Sequence, residues 1–529
     1  MRINHKNCKL LLAVLLQAIP FALAQRPAYK PATYTIGGTV VNALNGDPVR
    51  AARFTLTLQA DGSQVATTTS DDNGHFELHV ALAAKYQLRA SHPGFTTAFY
   101  EQHGSFSSAV VTGPAESTSQ LTFRLPPMAQ LRGSVTGEGG DAVEGASVLL
   151  YRTNTDRLST NRILHTDTAI TDDLGNYEFD DLEPGEYRVA VLAEPWYAMH
   201  SMREGANPAL DVAYPATFYD AATDEAAALP LRLEAGSREQ ADFALHALPA
   251  LRIKLSRPGD AQGATLTPLL FGMTAPNASL GSNDTAGAGG FSGLAPGRYQ
   301  LSAGNRLLDL DAATSGPVNL QNGTPAADVS GTAEATAGQP LAEDALVEFD
   351  PADAGNQPLT ALLHNGSFQM STVPAGLWNV RLRNGYGYEV PLTGLVQDGK
   401  PRPGLQFATR GKPVKLQLLA QPATAKIAGF VRLNGQGVPG AMVLLVPADL
   451  QGFPTLVRRD QSDSDGSFEL REVLPGHYVV LALEDAWTLD WTDPATIRRF
   501  LPGGQSVTLT GNPRETLRLT SPVEPQSRQ

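Results

Sequence analysis

The chain has almost no cysteine. A single one, Cys8, occurs in 529 residues, which excludes an intramolecular disulfide and any metal site built from several thiolates. Aromatics are sparse at 7%, with four tryptophans, so a recurring aromatic marks a structural position. Basic residues number 40 against 53 acidic ones, which argues against nucleic acid and anionic membrane as partners, because both are polyanions. Beyond the N-terminus no apolar run approaches the ~20 residues that span a bilayer. Catalytic signatures are missing too: G-x-S-x-G, H-E-x-x-H and H-x-H do not occur. "GLVQDGKP", Gly394 to Pro401, copies the spacing of a phosphate loop, but Pro401 stands where a hydroxyl should bind Mg²⁺ and no helix follows. The composition therefore predicts a non-enzymatic chain with no cofactor.

At the N-terminus Arg2, Lys6 and Lys9 precede the apolar run "LLLAVLLQAIPFALA", which closes on Ala22-Leu23-Ala24. That is the pattern of a signal peptide over residues 1–24, with Gln25 as the first mature residue. The protein is expected to be secreted or periplasmic. Cleavage removes Cys8 and three basic residues but no acidic one, leaving a net charge of −16. Export without disulfides points to a bacterial periplasm or exterior.

The chain is rich in turn formers, with 50 Gly and 38 Pro, and its apolar residues alternate at period two, the mark of strands with one buried face. Five segments each carry a glycine two positions before an aromatic: Gly74/Phe76, Gly175/Tyr177, Gly289/Phe291, Gly366/Phe368 and Gly466/Phe468. A second aromatic follows in each, at Tyr86, Tyr187, Tyr299, Trp378 and Tyr478, usually after a Pro-Gly turn such as "LEPGEY" or "VLPGHY". Upstream lie an opening strand ("TIGGTVV", "QLRGSVT", "KIAGFVR") and a second apolar strand ("AARFTLTL", "GASVLLY", "GAMVLLV"). The unit has enough strands for a small two-sheet sandwich. An all-β array of five sandwiches is expected, at 35–127, 128–248, 249–326 (degenerate, with Ile253 at the glycine position), 327–422 and 423–522, before a disordered tail at 523–529. Short junctions make it a semi-rigid string with hinges at "LPPMAQL", "HALPAL" and "AQPATAK".

"KIAGFVRLNGQGVPGAMVLLV", "SDSDGSFELREVLPGHYVVLAL" and their sister stretches resemble the carboxypeptidase regulatory-like domain family. Its members are transthyretin-like β-sandwiches close to the collagen-adhesin B-type repeat and to carbohydrate-binding-like folds. The resemblance implies an exported, non-catalytic array, with cell-envelope proteins or polysaccharide as partners. It also raises a Lys–Asn cross-link, for which Lys254 and Lys426 lie on opening strands, but no Asn recurs on a last strand to match.

Two groups of residues are candidate sites. "SDSDGSFEL" places Asp463, Asp465 and Glu472 at chelating positions of a calcium loop, yet Gln461 occupies the first position and the sister segments keep the glycine and the aromatic while losing the acids. The stretch reads as a hairpin with solvent-facing acids, Phe468 and Leu470 turned inward and Glu469 outward. His75, Glu77 and His79 share the outer face of one strand and read as a solvated polar face rather than a zinc site. Aromatics after the last strand of two segments, Trp196 with Tyr197 and Trp487 with Trp491, are candidates for stacking on a sugar beside Asp490 or Asp493. The alternative for each is a hydrophobic plug over the core.

Overall fold

The computed structural model describes residues 34–114, 116, 118–154, 163–202, 207–282, 289–335, 341, 345–352, 358–385, 389–402, 404–421, 425–450, 456–510 and 516–527. The expected signal segment lies outside them. The one α-helix among the described residues is Pro494–Arg498; nearly everything else is strand and turn.

Alternation builds the sheets. In strand His75–Val80, Phe76, Leu78 and Val80 are buried while His75, Glu77 and His79 are exposed. This strand pairs antiparallel with Tyr34–Asn42, which pairs in parallel with Leu121–Leu125. A second sheet, in the order Gln64–Thr69, Arg53–Leu58, Lys85–His92, Phe95–Phe99, faces it. Between the two lies a core in which Phe54 stacks on Phe76 at 3.9 Å and meets Phe123 edge-on at 5.4 Å. The fifth segment repeats the plan. Ser467–Val473, Ala425–Phe430 and Thr516–Arg518 form one sheet, and Arg458–Gln461, Met442–Pro447, Gly476–Glu484 and Gln505–Leu509 form the other. Hydrophobic cores follow one another along the chain in all five segments.

The repeated aromatics have a shared reason. Each of the first set is buried. Each of the second set donates to the carbonyl four residues earlier: Tyr86 to Leu82, Tyr187 to Glu183, Tyr299 to Ala295, Tyr478 to Leu474, and the Trp378 indole to Pro374, at 2.7–3.1 Å. A ring that fills the core and a polar tip that closes the preceding turn are both needed there, which Phe cannot supply. The opening glycines admit a close neighbour. A Cβ on Gly133 would overlap the Ala241 carbonyl, and one on Gly429 would sit 2.8 Å from the Phe468 ring.

A device that the repeat pattern did not reveal precedes three of the hairpins. Ser70, Thr171 and Ser462 each use one hydroxyl to join two backbone groups. Each donates at 2.6 Å to the carbonyl of Val49, Val143 or Val438, and each accepts at 2.8–2.9 Å from the amide of Ala52, Ala146 or Ala441. All three sit directly before an aspartate, a regularity visible in the sequence itself.

The segments are joined more tightly than a hinged string. At the first junction Thr96 N–H donates to Pro126, Met128 to Gly94 and Gly236 to Pro127, and at the second Leu248–Pro249 pairs with Val212–Ala213. With their backbone groups held by neighbours, these prolines are pinned rather than free to swing. The third and fourth segments share one ten-stranded sheet. Strand Thr324–Ala335 pairs at its start with Arg306–Ala312 and farther on with Ser367–Pro374 and Val414–Ala420, so the expected boundary at 326/327 falls inside a strand.

Candidate functional site

Two places combine burial, charge and surface shape. The first is the contact of the fifth segment with the first. The edge of the first segment at Ser108–Val111 lies along the hairpin Gln461–Ser464. Ser464 N–H donates to the Ala109 carbonyl at 3.0 Å, Ala109 N–H to Asp463 Oδ1 at 2.8 Å, Val111 N–H to Ser464 Oγ at 2.8 Å and Ser108 Oγ to the Ser462 carbonyl at 2.7 Å. Lys85 Nζ reaches Asp463 Oδ2 at 2.5 Å. Beside this ladder Trp487 stacks on His103 at 4.8 Å, and the Arg459 guanidinium lies between the Phe106 ring at 4.8 Å and the Trp491 ring at 4.3 Å. Gln461 fills the middle, donating to Ser108 Oγ at 2.9 Å and meeting His103 Nδ1 at 3.1 Å. Burial raises the Asp463 carboxyl above its usual range, against the pull of Lys85. Burial likewise pushes the neighbouring Asp460 up to about 7.

The second place is a cleft of about 730 Å³ between the second and third segments. Phe218, Leu270 and Tyr299 line its apolar floor, and Glu194, Asp224 and Asp311 lie on its rim. The walls are locked together: Glu225 accepts the Phe271 amide at 2.7 Å and faces Arg298 at 3.5 Å. Phe271 meets Tyr151 and Phe218 edge-on at 4.9 and 5.3 Å. His200 lies between Glu194 at 3.2 Å and Asp211 at 3.3 Å, and Asp211 also holds Arg252.

Residues 35–126 and 130–213 match the carboxypeptidase regulatory-like domain family. The first two segments belong to it. The chain is also similar to three solved structures. For the Bacillus anthracis TIE protein the identity is 10%, the match covers 92% of this chain and 74% of that one, and the TM-score is 0.17. For the shaft pilin SpaA of Lactobacillus rhamnosus GG the values are 13%, 40%, 98% and 0.21. For GBS52, the minor pilin of Streptococcus agalactiae, they are 10%, 41%, 97% and 0.22. At these TM-scores none of the three bears on how the segments are arranged or on what they do. No curated protein matches the chain.

The residues singled out in the sequence separate into covered and open ones. Asp463, expected at the surface, is 7% exposed, because the first regulatory-like domain covers it. Asp465 is half-buried and accepts the Ser467 amide at 2.9 Å. Glu472 is half-buried with φ +56°, and burial raises its carboxyl. Among the described residues no group of three or more His, Cys, Asp or Glu is placed to hold a metal ion. Trp491 is 7% exposed in a small core of the fifth segment, and the half-buried Trp487 donates its indole N–H to Gly440 at 3.0 Å. Asp490 bonds Thr492, and Asp493 caps helix Pro494–Arg498. Trp196, in the second regulatory-like domain, is 89% exposed with Tyr197 edge-on at 5.8 Å, two residues from the cleft residue Glu194. Gly394 to Pro401 forms a plain hairpin.

No local pattern marks Lys85, Ser108 or Gln461 as partners across the closing contact. They lie in different repeats, and nothing local marks a pairing between the two ends of the array.

Proposed function

We propose that the chain is an exported, non-enzymatic scaffold of five β-sandwich repeats, the third and fourth sharing the strand Thr324–Ala335, that presents a fixed protein-interaction surface at the cell surface or in the periplasm. The observation that carries this reading is the closing contact, in which the buried Asp463 pairs with Lys85 of the first segment. Together with the pinned junctions and the shared sheet, it gives the array fixed geometry. Rigid presentation lowers the ordering cost of binding a partner. The cleft between the second and third segments is the partner-binding place, since junctions between domains with an apolar floor and a few polar groups favour ligands. No helix among the described residues is long and apolar enough to cross a membrane.

The test is a photo-crosslinking residue at Met199, an exposed position beside the cleft, in the full chain expressed in a cell envelope. A discrete protein adduct that disappears on Glu194→Arg supports the reading. Uniform or absent labelling overturns it. A second reading, polysaccharide binding, is favoured only by the exposure of Trp196 with Tyr197. Calorimetric titration with soluble polysaccharides tests it: heat abolished by Trp196→Ala supports it, and absence of heat removes it.

A further inference from the structure

The cleft between the second and third segments joins an apolar floor to a negative lining. Phe218 and Leu270 are buried in the floor, and Leu280, which lines the cleft too, is 44% exposed. Four carboxylates, Glu194, Asp224, Glu225 and Asp311, stand in it against two bases, His200 and Arg298. Both bases already have acidic partners. Arg298 faces Glu225 at 3.5 Å and stands opposite Asp311 across the paired strands Gly297–Ala303 and Arg306–Ala312. His200 lies between Glu194 at 3.2 Å and Asp211 at 3.3 Å. Glu225 also accepts the Phe271 amide at 2.7 Å, and Asp224 accepts the Ala226 amide at 3.0 Å, while Glu194 and Asp311 stay exposed at the rim. Four acids against at most two positive charges leave the lining negative whatever the state of His200, so an anionic ligand is repelled and a cation is drawn in. A cation alone would leave the apolar floor in water. The occupant that answers both carries a positive charge next to an apolar side chain.

We propose that the cleft takes a basic, amphipathic segment of a partner protein, with a Lys or Arg at the Glu194 and Asp311 carboxylates and an adjoining apolar side chain on Phe218 and Leu270. The inference rests on the cleft being the partner-binding place and adds the chemistry of the partner. The walls are fixed before anything binds, by the Glu225–Phe271 hydrogen bond and by the packing of Phe271 on Tyr151 and Phe218 at 4.9 and 5.3 Å. Binding therefore orders little on this side of the contact. The rim charges select the segment and speed its approach, and the apolar floor holds it.

Fluorescence anisotropy of short labelled peptides with the full chain tests the class of partner. A peptide alternating Lys with Leu is expected to bind at least about tenfold more tightly than one alternating Glu with Leu or one alternating Lys with Ser. Glu194→Gln combined with Asp311→Asn keeps the shape of the rim, removes both charges and should weaken the Lys–Leu peptide about tenfold. Glu77→Gln, at an exposed acid of the first segment, leaves that binding unchanged. Equal binding of either comparison peptide, or equal losses in Glu77→Gln and the double variant, overturns the inference. The photo-crosslinker at Met199 separates it from the reading on which it rests. A cell-envelope adduct that is lost in the double variant supports both. An adduct that survives the double variant leaves the cleft as the partner site and overturns the basic class, and no adduct with the unaltered rim removes both.

Discussion

Asp172 and Asp463 occupy the same place in two hairpins, three residues before the turn glycine, and do opposite things. Asp172 bends back on its own turn, where Oδ1 accepts the amides of Leu174 at 3.0 Å and Asn176 at 2.7 Å. Asp71 does the same for Asn73 and His75. These amide bonds hold both carboxyls below their ordinary range. In the last hairpin Asp465 takes over the turn amide at Ser467, which frees Asp463 to face the first segment. Burial there raises its carboxyl. One extra acid in "SDSDG" thus lets a turn-forming aspartate become a docking group, while the hydroxyl before it and the aromatic after it keep their shared tasks.

The largest effects should fall on what the hairpins share. Phe76→Ala and Phe468→Ala each empty a buried ring site and are expected to cost about 3–5 kcal/mol, read by denaturant unfolding. A much smaller loss in either would mean that the two cores are not equivalent. Ser70→Ala and Ser462→Ala leave a buried carbonyl and amide unpaired, at about 1–3 kcal/mol each; similar losses in the two would confirm that the hydroxyl serves the fold and not the docking. Tyr187→Phe and Tyr478→Phe keep the ring and remove one hydrogen bond, for about 1 kcal/mol each. The subtlest comparison is the titration of the aspartates, followed by carboxyl carbon resonances. Asp71 and Asp172 should titrate below 3.8, so they stabilise the fold above that pH and lose their contribution as acid is added. Asp463 should titrate above 3.8, so its contribution is present in acid and lost as the pH rises. Shifts of one sign in all three would remove the distinction.

Much of the fold was legible because its causes are local. Alternation placed Phe468 and Leu470 inward and Glu469 outward, and the recurring glycine and aromatic marked each hairpin. The hydroxyl at Ser70, Thr171 and Ser462 was equally available, as a Ser or Thr directly before each aspartate, but its task requires knowing which carbonyl and amide lie opposite. The site residues were less legible. The sequence grouped Trp487 and Trp491 with Trp196 and Tyr197 because all four follow a last strand. Yet Trp487 lies against His103 of the first segment and Trp491 is packed in its own, while Trp196 stays open. Two of the hinges read from the proline-rich junctions, "LPPMAQL" and "HALPAL", are pinned for a related reason: a proline limits its own dihedral, but neighbouring strands decide whether the junction can move; residues 422–424 of the third, "AQPATAK", lie outside the described residues.

By itself the sequence determined the strand periodicity, the turn positions and the residues that each sandwich buries, because these depend on side-chain alternation and backbone preference over a few residues. Only the tertiary structure decided that Asp463 is buried, that the third and fourth segments share a sheet and that the two ends of the array meet. Those outcomes depend on which surfaces come together across hundreds of residues, where desolvation and the supply of partners outweigh local preference.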